Sequence, residues 1–377
     1  MKKTKHPLNT WAFLGIYLAI LAVFAGVYAL TKAINTPVPI VGTGSYTPGT
    51  YTGVGAGRNG DITVEVTVNE NTIQAIQIVR HDETPGISDG AIADIPAAIV
   101  ATQSLGVDSV SGATVSSEGI VAAVADAIAK AGGDVEALKN VAIAAGEHSS
   151  KELTADVVVV GGGGAGMTAA VRLAEQGKHV ILFEKASFLG GAISVSGGNQ
   201  VIMGSKLQAE NGVTDDSVES MVADFQANGA DKNNEEILTL FAENVGSATD
   251  WLVEHCGVGF AEGLHQLGEY THNRELAYTG GGAGFAETMR KAVADSGAEV
   301  YLSTKVESLI TDDNGAVVGV KAVSTDGNTD YTVSAANVIL ATGGYGNNKE
   351  MLTDEMKSAL YYGPATSTGE GIQMAQA

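Results

Sequence analysis

Cysteine is almost absent from this sequence. The single one, Cys256, excludes an intrachain disulfide, a thiolate metal cluster and a CxxCH haem site, and it reads as a small buried apolar residue. Basic residues are also scarce. Lys and Arg number 21 against 43 Asp and Glu, for a formal net charge of −22. Nucleic acid is therefore not an expected partner, since phosphate binding needs basic patches. The acidic excess suits a solvated protein in an extracellular phase. Glycine, by contrast, is abundant at 49 residues. The glycines cluster, so they read as motif and turn glycines rather than low complexity. A chain of 377 residues that is 45% hydrophobic can bury the cores of two or three domains.

Lys2, Lys3, Lys5 and His6 precede an uncharged apolar run from Trp11 to Leu30, which matches the roughly 20 residues needed to span a bilayer as a helix. The basic flank should stay in the cytoplasm, leaving everything after Lys32 outside. A retained anchor competes with a cleaved signal peptide. The run exceeds the usual signal core of about 7–15 residues, and no lipobox cysteine lies near it. The expectation is a single-pass protein of the cell membrane with its globular part outside. Asn35 to Ser45, with Pro37 and Pro39, reads as a linker.

Ile62 to Val68 and Ile73 to Ile78 alternate apolar and polar residues, which predicts two half-buried strands joined by a turn at Asn69 to Asn71. Helices are expected near 95–103 and over 117–131, where Ile120, Val121, Val124 and Ile128 share a face. The pattern is a small α+β domain. Between the helices, Asp108 begins a small-residue loop through Ser111, Gly112, Ala113 and Thr114. Either Ser116 or Ser117 would cap the following helix, and the backbone N–H groups there could hold an anion such as phosphate. A plain capped turn explains the same residues.

The string D-x-x-S-G-A-T ending on Thr114, preceded by "GTYTGVGAG" and "HDETPG", resembles the FMN-binding domain in the C subunit of sodium-pumping quinone reductase. The resemblance covers roughly Ser45 to Gly133. It implies FMN joined through its phosphate to the Thr114 hydroxyl by a dedicated flavin transferase, outside the cytoplasm, with Asp108 near the phosphate. The expected domain is 42–133, after a membrane segment and linker over 1–41. Residues 134–153 read as a mobile connection that would let a tethered FMN approach a second site.

From Asp156 a buried strand, Val157 to Val160, runs into Gly161-x-Gly163-x-Ala165-Gly166 and a helix. A second strand, His179 to Phe183, ends on Glu184 and Lys185. Gly161 would make the tight turn, Gly163 would admit the pyrophosphate, and Gly166 would let helix and strand pack. Glu184 would accept from the ribose hydroxyls. Strand, motif, helix and acid in register predict a Rossmann-type dinucleotide site. "GGAISVSGG", with Gly191, Gly197 and Gly198, resembles the second flavin loop of the fumarate reductase and succinate dehydrogenase flavoproteins. "VILATGGYGNN", with Gly343 and Gly344, and "TGEG", with Glu370, resemble two more of their motifs. Val306 falls where that family contacts adenine, and the strands predicted at 299–302 and 317–322 fit its β-meander. The 190–198 loop is one residue shorter than in that family, and Ala192 replaces a common asparagine. The resemblance implies FAD rather than NAD.

The fold class expected is thus α/β and α+β multidomain: a transmembrane helix, an α+β FMN-binding domain, and a Rossmann-type FAD-binding domain over 154–377. In the resembled reductases the proton-donating arginine and the substrate carboxylate clamp follow the TGEG position. Their places would lie beyond Ala377, so no catalytic residue is assigned here. A fragment of a longer protein and a truncated electron relay both fit that observation. The first reading is a reductase of an unsaturated carboxylate such as fumarate or urocanate, taking electrons from a membrane quinol oxidase or membrane flavoprotein. The second is a relay with no substrate site of its own. His255, His265 and His272 have spacings that suit no single-helix ligand set, and are expected in satisfied polar roles rather than on a metal.

Overall fold

A computed structural model describes residues 44–143, 148–268 and 270–377. The span expected at 11–30 lies outside them. No helix among the described residues is long and apolar enough to cross a membrane.

Three antiparallel strands open the first domain in the order β1 (Gly49–Ala56), β2 (Asp61–Val68), β3 (Ile73–Arg80). The turn between β2 and β3 is held by Asn69 Oδ1, which accepts from Asn71 N, Thr72 N and Thr72 Oγ1. Helices α1 (Asp89–Thr102) and α2 (Thr114–Lys130) cover the sheet. Ile62, Val64 and Val66 from β2 meet Ile95 and Ile99 from α1 and Ile120, Val124 and Ile128 from α2 in one core. Each such fully buried side chain stabilises by about 1.5–3 kcal/mol. Strand β1 comes close to α2 because Gly53 and Gly55 lack a Cβ, which would fall 1.9 Å from Ala123 O and 2.2 Å from Gly119 O. That spacing is the physical sense of "GTYTGVGAG".

Two expectations need correction here. Helix α1 opens at Asp89 rather than near 95, because Ala91, Ile95 and Ile99 together bury one stripe. Helix α2 opens at Thr114 with Ala113 as its uncapped N-cap, so Ser116 and Ser117 do not cap it. They lie inside the first turn instead. Ser116 Oγ donates to Glu83, and Ser117 Oγ donates to Ala113 O and accepts from Val110 N.

The expected connection over 134–153 is partly structured. Helix α3 (Val135–Lys139) buries Leu138 in the first core. Strand β4 (Ser149–Val160) begins at Ser149, because Ser149 to Ala155 pair in parallel with Thr329 to Ala335.

The second domain continues with α4 (Gly164–Glu175), β5 (Val180–Phe183), β6 (Asn199–Val201), α5 (Lys206–Glu210), α6 (Val218–Asn228), α7 (Glu235–Cys256), β7 (Glu275–Ala277) and α8 (Gly281–Ser296). It ends with β8 (Glu299–Tyr301), β9 (Thr304–Thr311), β10 (Val317–Ser324), β11 (Thr329–Leu340), α9 (Asp354–Lys357) and α10 (Glu370–Gln376). A six-stranded sheet runs β8-β5-β4-β11-β10-β9, with β8, β5, β4 and β11 parallel and the β9–β11 meander antiparallel. Val157, Val159, Val180 and Leu182 face α4 and α8. Val158, Val160, Ile181 and Phe183 face the meander. Burial on both faces explains the unbroken apolar runs. The carboxyl ends of β4 and β5 therefore open on one side, where open α/β sheets bind ligands.

Candidate functional site: a cavity walled by both domains

At the end of β4 the chain turns on Gly161, whose φ of +102° favours glycine. Gly161 N donates to Phe183 O, and Ala341 N to Val160 O, so the ends of β4, β5 and β11 are tied together. Helix α4 follows with Gly163 as its N-cap and no side-chain cap. Its first N–H groups thus face the opening with the positive end of the helix dipole. A Cβ on Gly163 would meet nothing within 4 Å, so the backbone there borders open space. A Cβ on Gly166 would lie 1.8 Å from Gly161 O.

Glu184 is 8% exposed. Its two carboxylate oxygens accept from Gly162 N and Ala186 N, each at 2.7 Å. It therefore braces the glycine turn from the neighbouring strand, a role that spacing alone does not reveal. Burial pushes its carboxyl above the ordinary 4.5, and the two backbone donors only partly oppose this. Lys185 donates to Thr368 Oγ1 at 2.7 Å and pairs with Glu370 at 2.8 Å. Burial alone would raise the Glu370 carboxyl, but the hydrogen bonds from Lys185 and Thr368 outweigh it and hold the group low. The TGEG acid is thus committed to the lysine after β5.

Over this opening lies the loop from Gly190, held by Gly190 N to Gly162 O at 2.8 Å. Gly197 and Gly198 are not on the cavity wall. Gly198 instead packs under the loop, where a Cβ would fall 2.1 Å from Gly282 N. The run 280–284, with four glycines, opens α8 beneath the flavin-type loop and was not singled out from sequence. Its signal was available as a glycine cluster running into an amphipathic helix.

These parts enclose a cavity of about 1080 Å³, just above the roughly 300–1,000 Å³ of single-ligand pockets. Gly161, Gly163, Ala165, Glu184, Lys185, Gly191, Val306, Gly343, Gly344 and Glu370 all line it. The first domain contributes Arg58, Glu83, Thr84, Ile87, Ser88, Gly112 and Ser116 to the wall. Asp108, Ser111, Ala113, Thr114 and Gly166 do not reach the wall. Thr114 is exposed at the start of α2, between wall residues Gly112 and Ser116, and Asp108 is exposed earlier in the loop. Ala377 does not reach the wall either, although Gln376 just before it does. It caps α10 as an exposed residue, its N–H donating to Gln373 O at 3.2 Å, because the helix turns its last residue outward. Glu83 was named only within the "HDETPG" signature. It is 4% exposed and accepts from Ser116 Oγ and Asn59 N.

The histidines fall into separate places. His255 contacts Glu175, while His272 lies beside Asp215 and Asp216. His265 bridges Glu275 through its backbone.

The family described as FAD binding domain matches residues 156–377. The chain belongs to it. Ahead of that FAD-binding domain, a family described as FMN-binding domain matches residues 57–129. A urocanate reductase of Eggerthella lenta is 35% identical over 304 residues, covering 80% of this chain and 50% of the relative. An NADH:acrylate oxidoreductase of Vibrio harveyi is 32% identical over 367 residues, covering 81% of this chain and 36% of the relative. The open conformation of a flavocytochrome c3 fumarate reductase aligns with a TM-score of 0.55 at 34% identity, covering 59% of this chain and 40% of that one. The chain thus spans half or less of the length of these relatives.

The FAD-binding domain has room and donors for its cofactor. Gly163 leaves an open cradle beside the free N–H groups of α4, where a pyrophosphate would sit. Ser194 Oγ, on the cavity wall, is buried without a hydrogen-bond partner among the described residues. Such an orphan hydroxyl is what a polar ligand would satisfy. A phosphate on Thr114 would likewise meet the uncapped N-terminus of the 17-residue α2.

The raised Glu184 carboxyl predicts a pH effect. Ribose hydroxyls donate to the ionised carboxylate, so FAD binding favours the deprotonated form. Affinity should be full above the apo pKa and fall as pH drops through it, starting at a pH above the ordinary 4.5. FAD titrations from pH 7 downward should show this loss in the parent and not in Glu184→Gln. An identical acid loss in both proteins would assign the effect to another group.

Proposed function

We propose that the whole protein is an extracytoplasmic reductase of a small unsaturated carboxylate of the fumarate, urocanate or acrylate class. In this reading Thr114 carries FMN through a phosphoester, attached by a flavin transferase. A membrane quinol oxidase or membrane flavoprotein supplies electrons. When bound, FMN would pass electrons to FAD, and FAD would deliver hydride to the alkene. The chain's own residues supply position. Glu184 and Val306 would hold the adenosine half of FAD, the N-terminus of α4 its pyrophosphate, and Gly343 and Gly344 the wall of the cavity beyond.

The observation that carries this reading is the cavity walled by both domains, with Gly112 and Ser116 flanking Thr114 on one side and the FAD-binding motifs on the other. The named activities of the relatives support the substrate class. The extracytoplasmic placement rests on the basic flank and the apolar run at 11–30.

The test is Thr114→Val in the full protein, co-expressed with a flavin transferase in an exporting host. Intact mass should fall by one FMN while extractable FAD is retained. Donor-driven reduction of fumarate, urocanate and acrylate should collapse, while reduction by a dye that feeds FAD directly persists. A denaturant-resistant flavin surviving in Thr114→Val would refute the attachment site. A covalently flavinylated parent that reduced none of these acids would favour a relay.

A further inference from the structure

The first domain meets the second at three glycines. At each one it presents bare backbone, and a side chain of the second domain fills the space. A Cβ on Gly112 (φ +86°) would stand 2.8 Å from Phe188 Cε1 and 3.2 Å from Ala186 Cβ. One on Gly90 would stand 3.0 Å from Ser187 Oγ. One on Gly86 (φ +77°) would stand 2.9 Å from Arg290 Nη2. One backbone hydrogen bond crosses the face, and a side-chain one holds Arg290 within its own domain. Ser187 N donates to Ser111 O at 3.2 Å, and Arg290 Nη1 donates to Leu189 O at 2.8 Å. The guanidinium of Arg290 is thereby anchored on the flavin loop of its own domain, with its other arm against the "ETPG" turn.

We propose that these contacts form a docking face built for the FAD-binding domain of the same chain, so that Thr114 is held at the cavity rim in the resting protein rather than delivered there by a swinging tether. Arg290 is its positioning residue. The second half of the proposal, which rests on the function proposed above, is that electrons cross between the flavins in this docked arrangement. The FMN is oxidised by as many electrons as the FAD gains, with no domain movement between donor and acceptor.

The geometry argues for this in three ways. Contacts at Gly86, Gly90 and Gly112 come from separate parts of the first domain, namely the turn after β3, the start of α1 and the loop before α2. Adventitious contact would be expected to meet ordinary side chains, whereas here all three points are glycines, two of them (Gly86 and Gly112) at positive φ, and at Gly112 a Cβ would meet the Phe188 ring itself. The contact points also border the shared cavity, since Gly112, Ala186 and Phe188 all line it. Finally, α3 ties the chain to the first core through Leu105 N to Leu138 O at 3.0 Å, and β4 starts at Ser149. The connection expected over 134–153 is thus structured at both of its ends.

The proposal can be tested by a disulfide across the face. The Cβ built on Gly90 lies 3.3 Å from Ser187 Cβ, a few tenths short of the roughly 3.5–4.5 Å of a disulfide. In the full flavinylated protein, Gly90→Cys with Ser187→Cys should close under oxidised glutathione within minutes, read by non-reducing gel and intact mass. Cys256 should stay out of the exchange, because burial pushes its thiol up to about 11. Single-turnover electron transfer between the flavins should then match the reduced form of the same variant within about twofold. Failure of the disulfide to form in folded protein would overturn the docking face. A closed disulfide that slowed transfer by about tenfold or more, equivalent to about 1.4 kcal/mol, would overturn the claim that electrons cross in the docked state.

Should the double variant fold poorly, Arg290→Ala serves. Amides of residues 84–88, in the other domain, should exchange hydrogen faster, and Arg290→Lys should restore part of their protection. Unchanged exchange at 84–88 would overturn the assignment of Arg290. Absence of covalent FMN would instead sink the function proposed above and leave the disulfide result standing.

Discussion

Arg274→Ala should destabilise the FAD-binding domain by about 3–5 kcal/mol, the usual cost of removing one partner from a buried ion cluster. Arg274 is fully buried. Its Nε and Nη2 bind the two oxygens of Asp216 at 2.7 and 2.6 Å, and its Nη1 binds Asp224 at 2.5 Å. Asp224 also accepts from Thr271 N and Oγ1. Truncation leaves two buried carboxylate side chains with their shared cation gone. Burial would raise both acids, but the arginine and the other donors hold them below the ordinary range. Their folded pKa values are depressed, so their contribution is present at neutral pH and lost as pH falls through those values. Urea unfolding at pH 7 should show the loss. Adding Asp216→Asn and Asp224→Asn should recover part of it. A loss below about 1 kcal/mol would mean that water replaces the guanidinium and that the cluster is not sealed. FAD should also bind less tightly. Arg274 leads into β7, and just after that strand Tyr278 N donates to Gly198 O beneath the flavin loop.

This cluster has no signature in the sequence. Arg274 lies 58 and 50 residues from Asp216 and Asp224, and the three carry no period or motif, so only the fold brings them together. The elements that were legible have strong local signals. The alternation in Ile62–Val68, the stripe of Ile120, Val124 and Ile128, and the strand–glycine–helix string from Val157 each encode their burial pattern locally. Boundaries were less so. Ser149 to Leu153 looked like linker because its strand character comes from pairing with Thr329 to Val333, a partner remote in sequence. The cavity motifs were legible individually. That Gly112 would share a wall with Gly163 was not, because docking through glycines leaves no side-chain signal. The bracing of the glycine turn by Glu184, and the capture of Glu370 by Lys185, were hidden for a related reason. Both residues were noted for a ligand, and the partners that hold them are backbone groups or residues of another element.

The glycines of the dinucleotide motif should separate under mutation into those that serve the fold and those that serve the ligand. At Gly166 a methyl would fall 1.8 Å from Gly161 O. The Gly161 backbone is itself packed against the exit of β11, where a Cβ on Gly161 would fall 2.5 Å from Ala341 O. Overpacking costs about 1–3 kcal/mol, and backbone wedged between α4 and β11 places Gly166→Ala at the upper end. The apoprotein should lose that stability in urea, and FAD affinity should fall by roughly 100-fold, the equivalent of about 3 kcal/mol. Gly163→Ala should behave differently. Its methyl meets no protein atom within 4 Å and projects where the cavity lies. Apoprotein stability should stay within about 0.5 kcal/mol of the parent, as for substitutions that touch no buried feature. FAD affinity should nevertheless drop by at least about tenfold, because the methyl occupies the place where a pyrophosphate would approach the backbone. Urea unfolding of the apoproteins and FAD titration by fluorescence quenching check both variants. Undiminished FAD binding by Gly163→Ala would move the pyrophosphate away from this turn, and unchanged apoprotein stability in Gly166→Ala would show that α4 can lift from β4 without penalty.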